Sequence, residues 1–314
     1  MPDADRLPPS NEWLASRGWK LASGEAMRVC GVSPDKCERE LHKPNDWYQN
    51  IATGQLAYQK FISPVKAFSE CLASYFALSV GLCCPRIEVN AYRDPLGRSA
   101  YACASPLLGT QPRNLFDFIE KELPGIAPEN PPPSIAQISR SVSSFIPFWI
   151  CTANTDASTE NFVIVALNGG SVGGTSIDHT YLGFHPANYA EISLAHIFRA
   201  SRPFYIDTQA MEASANAIAA LPQTNLRQIV EQAFDKCQIS SNGIEGSCTN
   251  DSLPALHQIY NVLLKRQETL HTQIHTPSYM SKVMNDDYDC LNKRTGPGTP
   301  TFHPLTPAGA GFAP

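Results

Sequence analysis

Several features that assign a sequence to a functional class are absent from this chain. It contains no C-x-x-C pair, and no block of Lys and Arg stands out. A zinc site with paired cysteines is therefore not expected, and neither is nucleic acid as a partner. No apolar run reaches the roughly 18 residues of a membrane-spanning helix, and no N-terminal secretory signal is recognisable. We expect a cytoplasmic protein without a membrane span, and the sequence leaves the oligomeric state open.

The composition is that of a folded protein. Of 314 residues, 43% are hydrophobic, and the formal net charge is −5, which allows a sizeable core in one large or two smaller domains. The ten cysteines are scattered, and most of them, such as Cys71 and Cys151, lie in apolar runs. We interpret them as reduced core residues. Residues 1–11 are polar and residues 294–314 are rich in Pro, Gly and Thr, so disorder is predicted at both ends.

The most informative stretch spans residues 148–184. The pattern predicts a loop, a strand, a glycine-rich turn and a return strand, at 154–161, 162–167, 168–174 and 176–179 in that order. Asp156 and Asn161 lie five positions apart in the loop, and Asp178 lies in the return strand. The predicted hairpin therefore brings three polar side chains together near one of its ends.

These residue types suit phosphoryl transfer. A carboxylate must accept or orient the proton of an acceptor hydroxyl, and hard oxygen ligands must hold magnesium on the nucleotide phosphates. Kinases use an Asp, an Asn five residues later, and a second Asp across a hairpin. In this interpretation Asp156 is the base, while Asn161 and Asp178 bind the metal. The alternative is a capped turn in which Asn and Asp are only turn residues.

A second pattern lies in the N-terminal half. Lys60 lies near the end of a predicted strand at 55–62, and Glu70 lies one turn into a predicted helix at 65–80. Two strands joined by a tight turn follow at 86–92 and 99–104. A strand Lys followed by a helix Glu is the ion pair with which kinases orient phosphates. The alternatives are a solvated strand Lys and an acid that favours the first turn of a helix.

The remaining elements define the predicted architecture. Helices are predicted at 114–123, 135–151, 194–200, 208–220, 226–237 and 253–275. Short strands are predicted within 19–30 and 39–50, and a hinge at 106–110. The predicted fold class is α+β and bilobal, protein-kinase-like, with a small β-rich N-terminal lobe at 12–108 and a mostly helical C-terminal lobe at 109–293.

The motifs resemble the catalytic core of HipA-like kinases, atypical kinases related to phosphatidylinositol 3- and 4-kinases. The resemblance is carried by N-T-D-x-x-x-x-N-F at 154–162, S-I-D-H-T at 176–180, Y-Q-K-F at 58–61, and S-E-x-L-A leading to G-L-C-C-P at 69–85. It covers roughly residues 55–184. It implies a bilobal fold, ATP and Mg2+ as cofactors, and a hydroxyl acceptor, for which protein Ser or Thr is the first choice.

The chain departs from the family pattern at three places. Ala157 follows Asp156 where an Arg is usual, and His179-Thr180 replaces the glycine-containing end of the metal motif. No G-x-G-x-x-G precedes Lys60, and the candidates for a phosphate-covering loop, at 23–25 and 31–33, are poor. The base and both metal ligands are retained, so weak activity or an unusual acceptor is the expected consequence.

Other functional classes remain open at this point. The missing glycine-rich loop agrees with a pseudokinase, which would bind nucleotide or a partner without transferring phosphate. If the protein is an active enzyme, a lipid or a small molecule is also open as its acceptor. Ser171 lies in a literal G-x-S-x-G, but a nucleophile elbow needs a helix after the Ser, and the next segment is strand-like. A metal hydrolase would need Asp178 with histidines at 179, 185 and 196, whose spacing matches no helical H-x-x-x-H.

Overall fold

The computed structural model describes residues 6–32, 46–124, 132–167, 171–198, 202–245 and 252–285. The predictions for residues 1–5, for residues 168–170 of the turn and for the tail at 294–314 lie outside these ranges. Within them the chain forms nine helices, namely α1 (Asn11–Ser16), α2 (Gly24–Val29), α3 (Pro64–Ser79), α4 (Leu115–Lys121), α5 (Pro133–Thr152), α6 (Thr208–Ala219), α7 (Gln223–Lys236), α8 (Leu256–Ile274) and α9 (Pro277–Met284). The strands are β1 (Trp19–Leu21), β2 (Asp46–Asn50), β3 (Leu56–Ile62), β4 (Glu88–Arg93), β5 (Ser99–Pro106), β6 (Thr110–Asn114), β7 (Phe162–Ala166) and β8 (Val172–Ser176).

The N-terminal part is a five-stranded antiparallel sheet in the order β1-β2-β3-β5-β4. Strand β3 is central, with Lys60 opposite Cys103 of β5. Leu56, Phe61 and Ile62 of this strand are buried, and the neighbours Phe61 and Ile62, which face opposite sides of the sheet, pack in two different apolar clusters. Lys60 is consequently a basic side chain in a largely apolar strand rather than a residue of a solvated edge.

Helix α3 packs beside this sheet and carries Glu70. Ser63 caps its first turn by accepting a hydrogen bond from the Lys66 amide, and Pro64 occupies the first helical position, where its missing N–H costs nothing. Phe68 and Leu72 are fully buried. The orientation of this apolar face fixes which side of the helix presents Glu70.

Ser74 ties α3 to the segment that leads into β4. Its hydroxyl donates to the Pro85 carbonyl at 2.7 Å and accepts from the Ile87 amide at 3.1 Å, and the side chain is fully buried. We expect Ser74→Ala to lower the free energy of unfolding by about 1–3 kcal/mol, because it leaves a buried donor and a buried acceptor unpaired. Ser79→Ala on the same helix, where the hydroxyl is exposed and bonds only to the Tyr75 carbonyl, should change stability little. Equal urea midpoints for wild type and Ser74→Ala would contradict the buried bridge.

The C-terminal part is mostly helical and is built around α5. Thirteen of its residues are buried, among them Phe145, Phe148 and Trp149. A three-stranded antiparallel sheet in the order β6-β7-β8 packs against this helix. Gly174 of β8 lies so close to the ring of Phe162 that an added Cβ would approach it to 2.3 Å. This glycine is therefore a packing requirement of the hairpin and not a turn residue.

These elements confirm the predicted α+β class, with a β-rich N-terminal lobe and a mostly helical C-terminal lobe. The exact lobe boundary near residue 108 stays a prediction; β5 ends at Pro106 in the first sheet and β6 begins at Thr110 in the second.

The short strands expected within 19–30 and 39–50 are present as β1 and β2. Helix α2 was not expected, and Ser23 caps it. The helix expected at 194–200 is the 3-10 helix Ser193–Phe198. Part of the N-terminal segment, for which disorder was predicted, is hydrogen-bonded to the first sheet. The Arg6 amide donates to the Phe61 carbonyl, and the Tyr92 hydroxyl donates to the Leu7 carbonyl.

Two further expectations were that the cysteines are reduced core residues and that the chain has no membrane span. In the described part of the chain, five of seven cysteines are buried, but Cys30 is half-buried and Cys83 is exposed. All seven are free thiols. None of the described helices is both long and apolar enough to cross a membrane.

Candidate active site

A cleft of about 790 Å³ lies between the two lobes. Its lining includes Lys60 of β3, Glu70 of α3, Leu107 and Leu108 of the segment between the two sheets, and Asp178 after β8. Both lobes therefore contribute charged side chains to one cavity. Its volume lies within the range of about 300–1,000 Å³ that is usual for small-molecule and cofactor sites.

Lys60 lies in the cleft between two carboxylates. Its Nζ lies 2.7 Å from Oε1 of Glu70 and 2.9 Å from Oδ1 of Asp178. The side chains of Lys60 and Glu70 are only 13% and 5% exposed, so the pair is shielded from solvent screening. Burial alone would lower the pKa of Lys60, but the two carboxylates outweigh it and raise the pKa above its ordinary value. Lys60 is therefore a permanent positive charge that links the lobes.

Asp178 follows the end of β8 in an unusual backbone conformation, with φ of 57°. A non-glycine residue with positive φ is uncommon, although Asp and Asn tolerate it best. Its Oδ1 also accepts from the Thr180 hydroxyl at 3.0 Å. Burial would raise the pKa of Asp178, but the Lys60 ammonium and these hydrogen bonds hold it below its ordinary value. Asp178 is thus an ionised carboxylate at neutral pH.

Asp156 and Asn161 contact each other in the loop before β7, and neither is among the residues that line the cleft. The Asn161 side-chain amide donates to Oδ2 of Asp156 at 2.8 Å and to its carbonyl oxygen at 3.0 Å. The amide nitrogen is thereby committed, which leaves the amide oxygen of Asn161 as its ligand atom. Burial, followed by the negative charge of Asp178, raises the pKa of Asp156 above its ordinary value. A carboxylate with a raised pKa is better suited to accept a proton than an ordinary surface aspartate.

The loop that carries Asp156 is fixed to the segment after Asp178. The Thr155 amide donates to the Tyr181 carbonyl at 3.2 Å, and Asn154 forms an isolated antiparallel bridge with Leu182. These backbone contacts set the position of Asp156 relative to Asp178.

A buried histidine supports both loops. The His179 ring lies 3.3 Å from the Asn154 amide nitrogen and 3.2 Å from the Ser176 carbonyl oxygen, and it packs edge-on against Phe148. Burial lowers the pKa of His179, which keeps the ring neutral. His179 belongs to the segment that replaces the glycine-containing end of the motif. Its ring contacts therefore fix the backbone next to Asp178.

Arg266 of α8 is a further support that the sequence analysis missed. Its guanidinium donates to the carbonyl oxygens of Gly183, His185 and Asn188 at 2.6, 2.9 and 3.2 Å. Burial lowers the pKa of Arg266. No sequence motif identifies such a residue, because its partners are backbone groups about 80 positions away.

Two details of the predicted hairpin needed correction. The return strand is Val172–Ser176, and Asp178 lies beyond it rather than inside it. Gly173 and Gly174 belong to this strand and not to the turn. The segment after Ser171 is therefore a strand, whereas a nucleophile elbow requires a helix.

The two candidate segments for a phosphate-covering loop lie in different places. The candidate at 23–25 is the start of α2, capped by Ser23. Of the candidate at 31–33, Gly31 and Val32 line the cleft, and Ser33 lies outside the described residues. The Gln111 amide donates to the Cys30 carbonyl at 2.9 Å, so the end of α2 is hydrogen-bonded to the start of β6.

Lys60 and Glu70 should behave as one unit in kinetic measurements. Lys60→Met leaves Glu70 uncompensated, and Glu70→Gln removes one of the two carboxylates that orient Lys60. We expect each single change to weaken catalytic turnover and the double variant to be little worse than the poorer single one, with a coupling of roughly 0.5–3 kcal/mol. Small effects that add in the double-mutant cycle would mean that the pair has no joint role.

No protein-family model matches the chain, and no curated protein matches it. Among solved structures, the Helicobacter pylori proinflammatory kinase CtkA is similar with a TM-score of 0.43 and 10% identity, over 72% of this chain and 93% of that chain. WaaP in complex with acyl carrier protein gives 0.29 and 11%, over 81% and 98%. A MAP kinase from Leishmania major gives 0.30 and 11%, over 80% and 82%.

Proposed function

We propose that the protein is a Mg2+- and ATP-dependent phosphotransferase of the HipA-like type, which transfers the γ-phosphate of ATP to a hydroxyl group. Protein Ser or Thr is the first choice of acceptor, and a lipid or small molecule is the next. The observation that carries the proposal is the position of Lys60, held between Glu70 of one lobe and Asp178 of the other across a cleft of suitable size.

Two oxygen donors fit magnesium, of which Asp178 lines the cleft. Asp178 supplies an ionised carboxylate and Asn161 an amide oxygen, and both are the hard oxygen ligands that Mg2+ prefers. Mg2+ held there would neutralise the charge on the nucleotide phosphates. In the structure the Asp178 carboxylate contacts the Lys60 ammonium, so the same residue is already a cation-binding group.

The remaining roles follow from charge and position. Lys60 contacts phosphate oxygens and is oriented by Glu70. Asp156 accepts or orients the proton of the acceptor hydroxyl, for which its raised pKa is favourable. The chain's contribution is positioning and charge neutralisation, since the transition state of phosphoryl transfer is loose and rich in negative charge.

The experiment that tests this function is incubation of the purified protein with ATP and Mg2+, followed by measurement of ADP and by mass spectrometry for phosphate on the protein and on added acceptor proteins. We expect ADP formation that requires Mg2+ and phosphate on Ser or Thr. Phosphate on an added lipid or small molecule alone would keep the activity and change the acceptor. No ADP formation with any acceptor would contradict phosphotransfer.

A nucleotide-binding pseudokinase is the second candidate. It is favoured by one observation, the helix α2 in the connection between β1 and β2, where kinases have a glycine-rich loop. Calorimetry separates the two functions, because a pseudokinase would bind ATP in the cleft and form no ADP.

A further inference from the structure

Outside the cleft, three metal-ligating side chains meet where α6 and α8 pack together. His271 and His275 lie four residues apart near the end of α8, and Glu212 lies on α6. Residues at i and i+4 share one face of a helix, and the two rings are stacked with an angle of 12° between their planes. This H-x-x-x-H pair has the helical spacing that the histidines near Asp178 lack.

The ligand atoms of the three side chains converge. One ligand atom from each residue lies within 4.8 Å of the other two, and Nε2 of His275 lies 3.0 Å from Oε1 of Glu212. Ligands of a tetrahedral zinc ion, each about 2.0–2.2 Å from the metal, lie roughly 3.3 Å apart. Small side-chain rotations therefore suffice to close the group around an ion. Glu212 and His275 are 35% and 59% exposed, which leaves both an entry path and room for water.

We propose that Glu212, His271 and His275 form a binding site for a divalent transition metal, with Zn2+ as the preferred ion. Two imidazoles and one carboxylate are a common zinc ligand set, and a water completes the tetrahedron. The site differs from the cleft in its chemistry, because imidazole favours zinc whereas the oxygen donors Asn161 and Asp178 favour magnesium. It does not depend on whether the protein transfers phosphate.

The expected consequence is a cross-link between two helices of the C-terminal lobe. These helices are already joined by Gln267 of α8, whose amide donates to the carbonyls of Ile218 and Leu221 at 2.8 and 2.7 Å. A metal at Glu212, His271 and His275 would join them again, one turn farther along α8. Because the metal binds the folded arrangement of the three residues, it should stabilise the native state by mass action.

The test is titration of chelator-treated protein with ZnCl2 in the presence of excess MgCl2, which occupies oxygen-donor sites. We expect one equivalent of Zn2+ bound by calorimetry and a melting temperature raised by about 3 °C or more at saturation. Glu212→Gln and His271→Ala should each lose both effects. The control is His257→Ala, which removes an exposed histidine from the first turn of the same helix and should bind like wild type.

Two results would overturn the site. Zn2+ could leave the melting temperature unchanged, in which case Glu212 and His275 only contact each other. All variants could bind one equivalent with equal affinity, which would place the ion elsewhere, for instance at the exposed thiol of Cys83. Glu212→Gln keeps the size of a partly exposed side chain, so it tests the site even if His271→Ala unfolds the protein.

Discussion

Asp178→Asn is expected to abolish the effect of Mg2+ on ATP binding. The wild-type protein should bind ATP far more tightly with Mg2+ than without it. In the variant the ATP affinities with and without Mg2+ should be equal. The affinity in Mg2+ should fall by more than about 100-fold, because loss of an outer-shell partner of a metal site already costs 10- to 100-fold. The physical reason is the loss of an ionised carboxylate that is held in the cleft by Lys60.

The choice of Asn at position 178 follows from the backbone. With φ of 57° at this residue, Asp178→Ala would add backbone strain, whereas Asn tolerates the left-handed region. The matched control is Glu160→Gln, which removes one negative charge from an exposed residue that also lines the cleft. Calorimetry is the measurement for both variants. Unchanged Mg2+ dependence in Asp178→Asn, or an equal loss in Glu160→Gln, would remove Asp178 from the metal site.

Asp156→Asn is expected to separate binding from transfer. The affinity for ATP in Mg2+ should stay within a few-fold of wild type, while kcat should fall by about 10²- to 10⁴-fold, the scale of general acid–base catalysis. An Asn at this position retains an oxygen that can accept the hydrogen bond from Asn161, so the loop should keep its geometry. Glu160→Gln, in the same loop, should transfer phosphate at close to the wild-type rate. Equal losses of binding and kcat would make Asp156 a ligand or a structural residue.

The pH profile provides a second readout of the same residue. Only ionised Asp156 can accept a proton, and burial together with Asp178 raises its pKa. In the wild-type protein kcat/KM should therefore rise with pH through an apparent pKa above the ordinary aspartate value of about 3.9. The residual activity of Asp156→Asn should lack this limb. A wild-type profile that is flat over the acid range would contradict the role of Asp156 as base.

Local sequence patterns predicted much of the fold. The helix around Glu70 and the strand around Lys60 were predictable because strong periodicity and a Ser-Pro start define them. The order strand, helix, strand, strand then led to the expectation that Lys60 and Glu70 pair, and their side chains lie 2.7 Å apart. The catalytic roles of these residues remain predictions.

What could not be predicted depends on contacts between distant segments. The ion pair between Lys60 and Asp178 joins residues more than 100 positions apart, and no local pattern specifies it. The left-handed backbone of Asp178 lies next to the buried His179, and His179 was visible in the sequence only as a departure from a motif. Helix α2 was missed because it is six residues long, too short for a periodic pattern to distinguish it from strand and turn.

The most direct measurement is a crystal structure of the protein with a non-hydrolysable ATP analogue and Mg2+. The account predicts the nucleotide phosphates beside Lys60, with the carboxylate of Asp178 and the amide oxygen of Asn161 about 2.0–2.1 Å from the metal. A nucleotide bound away from the cleft would contradict the account, and so would a metal in the cleft held by neither residue.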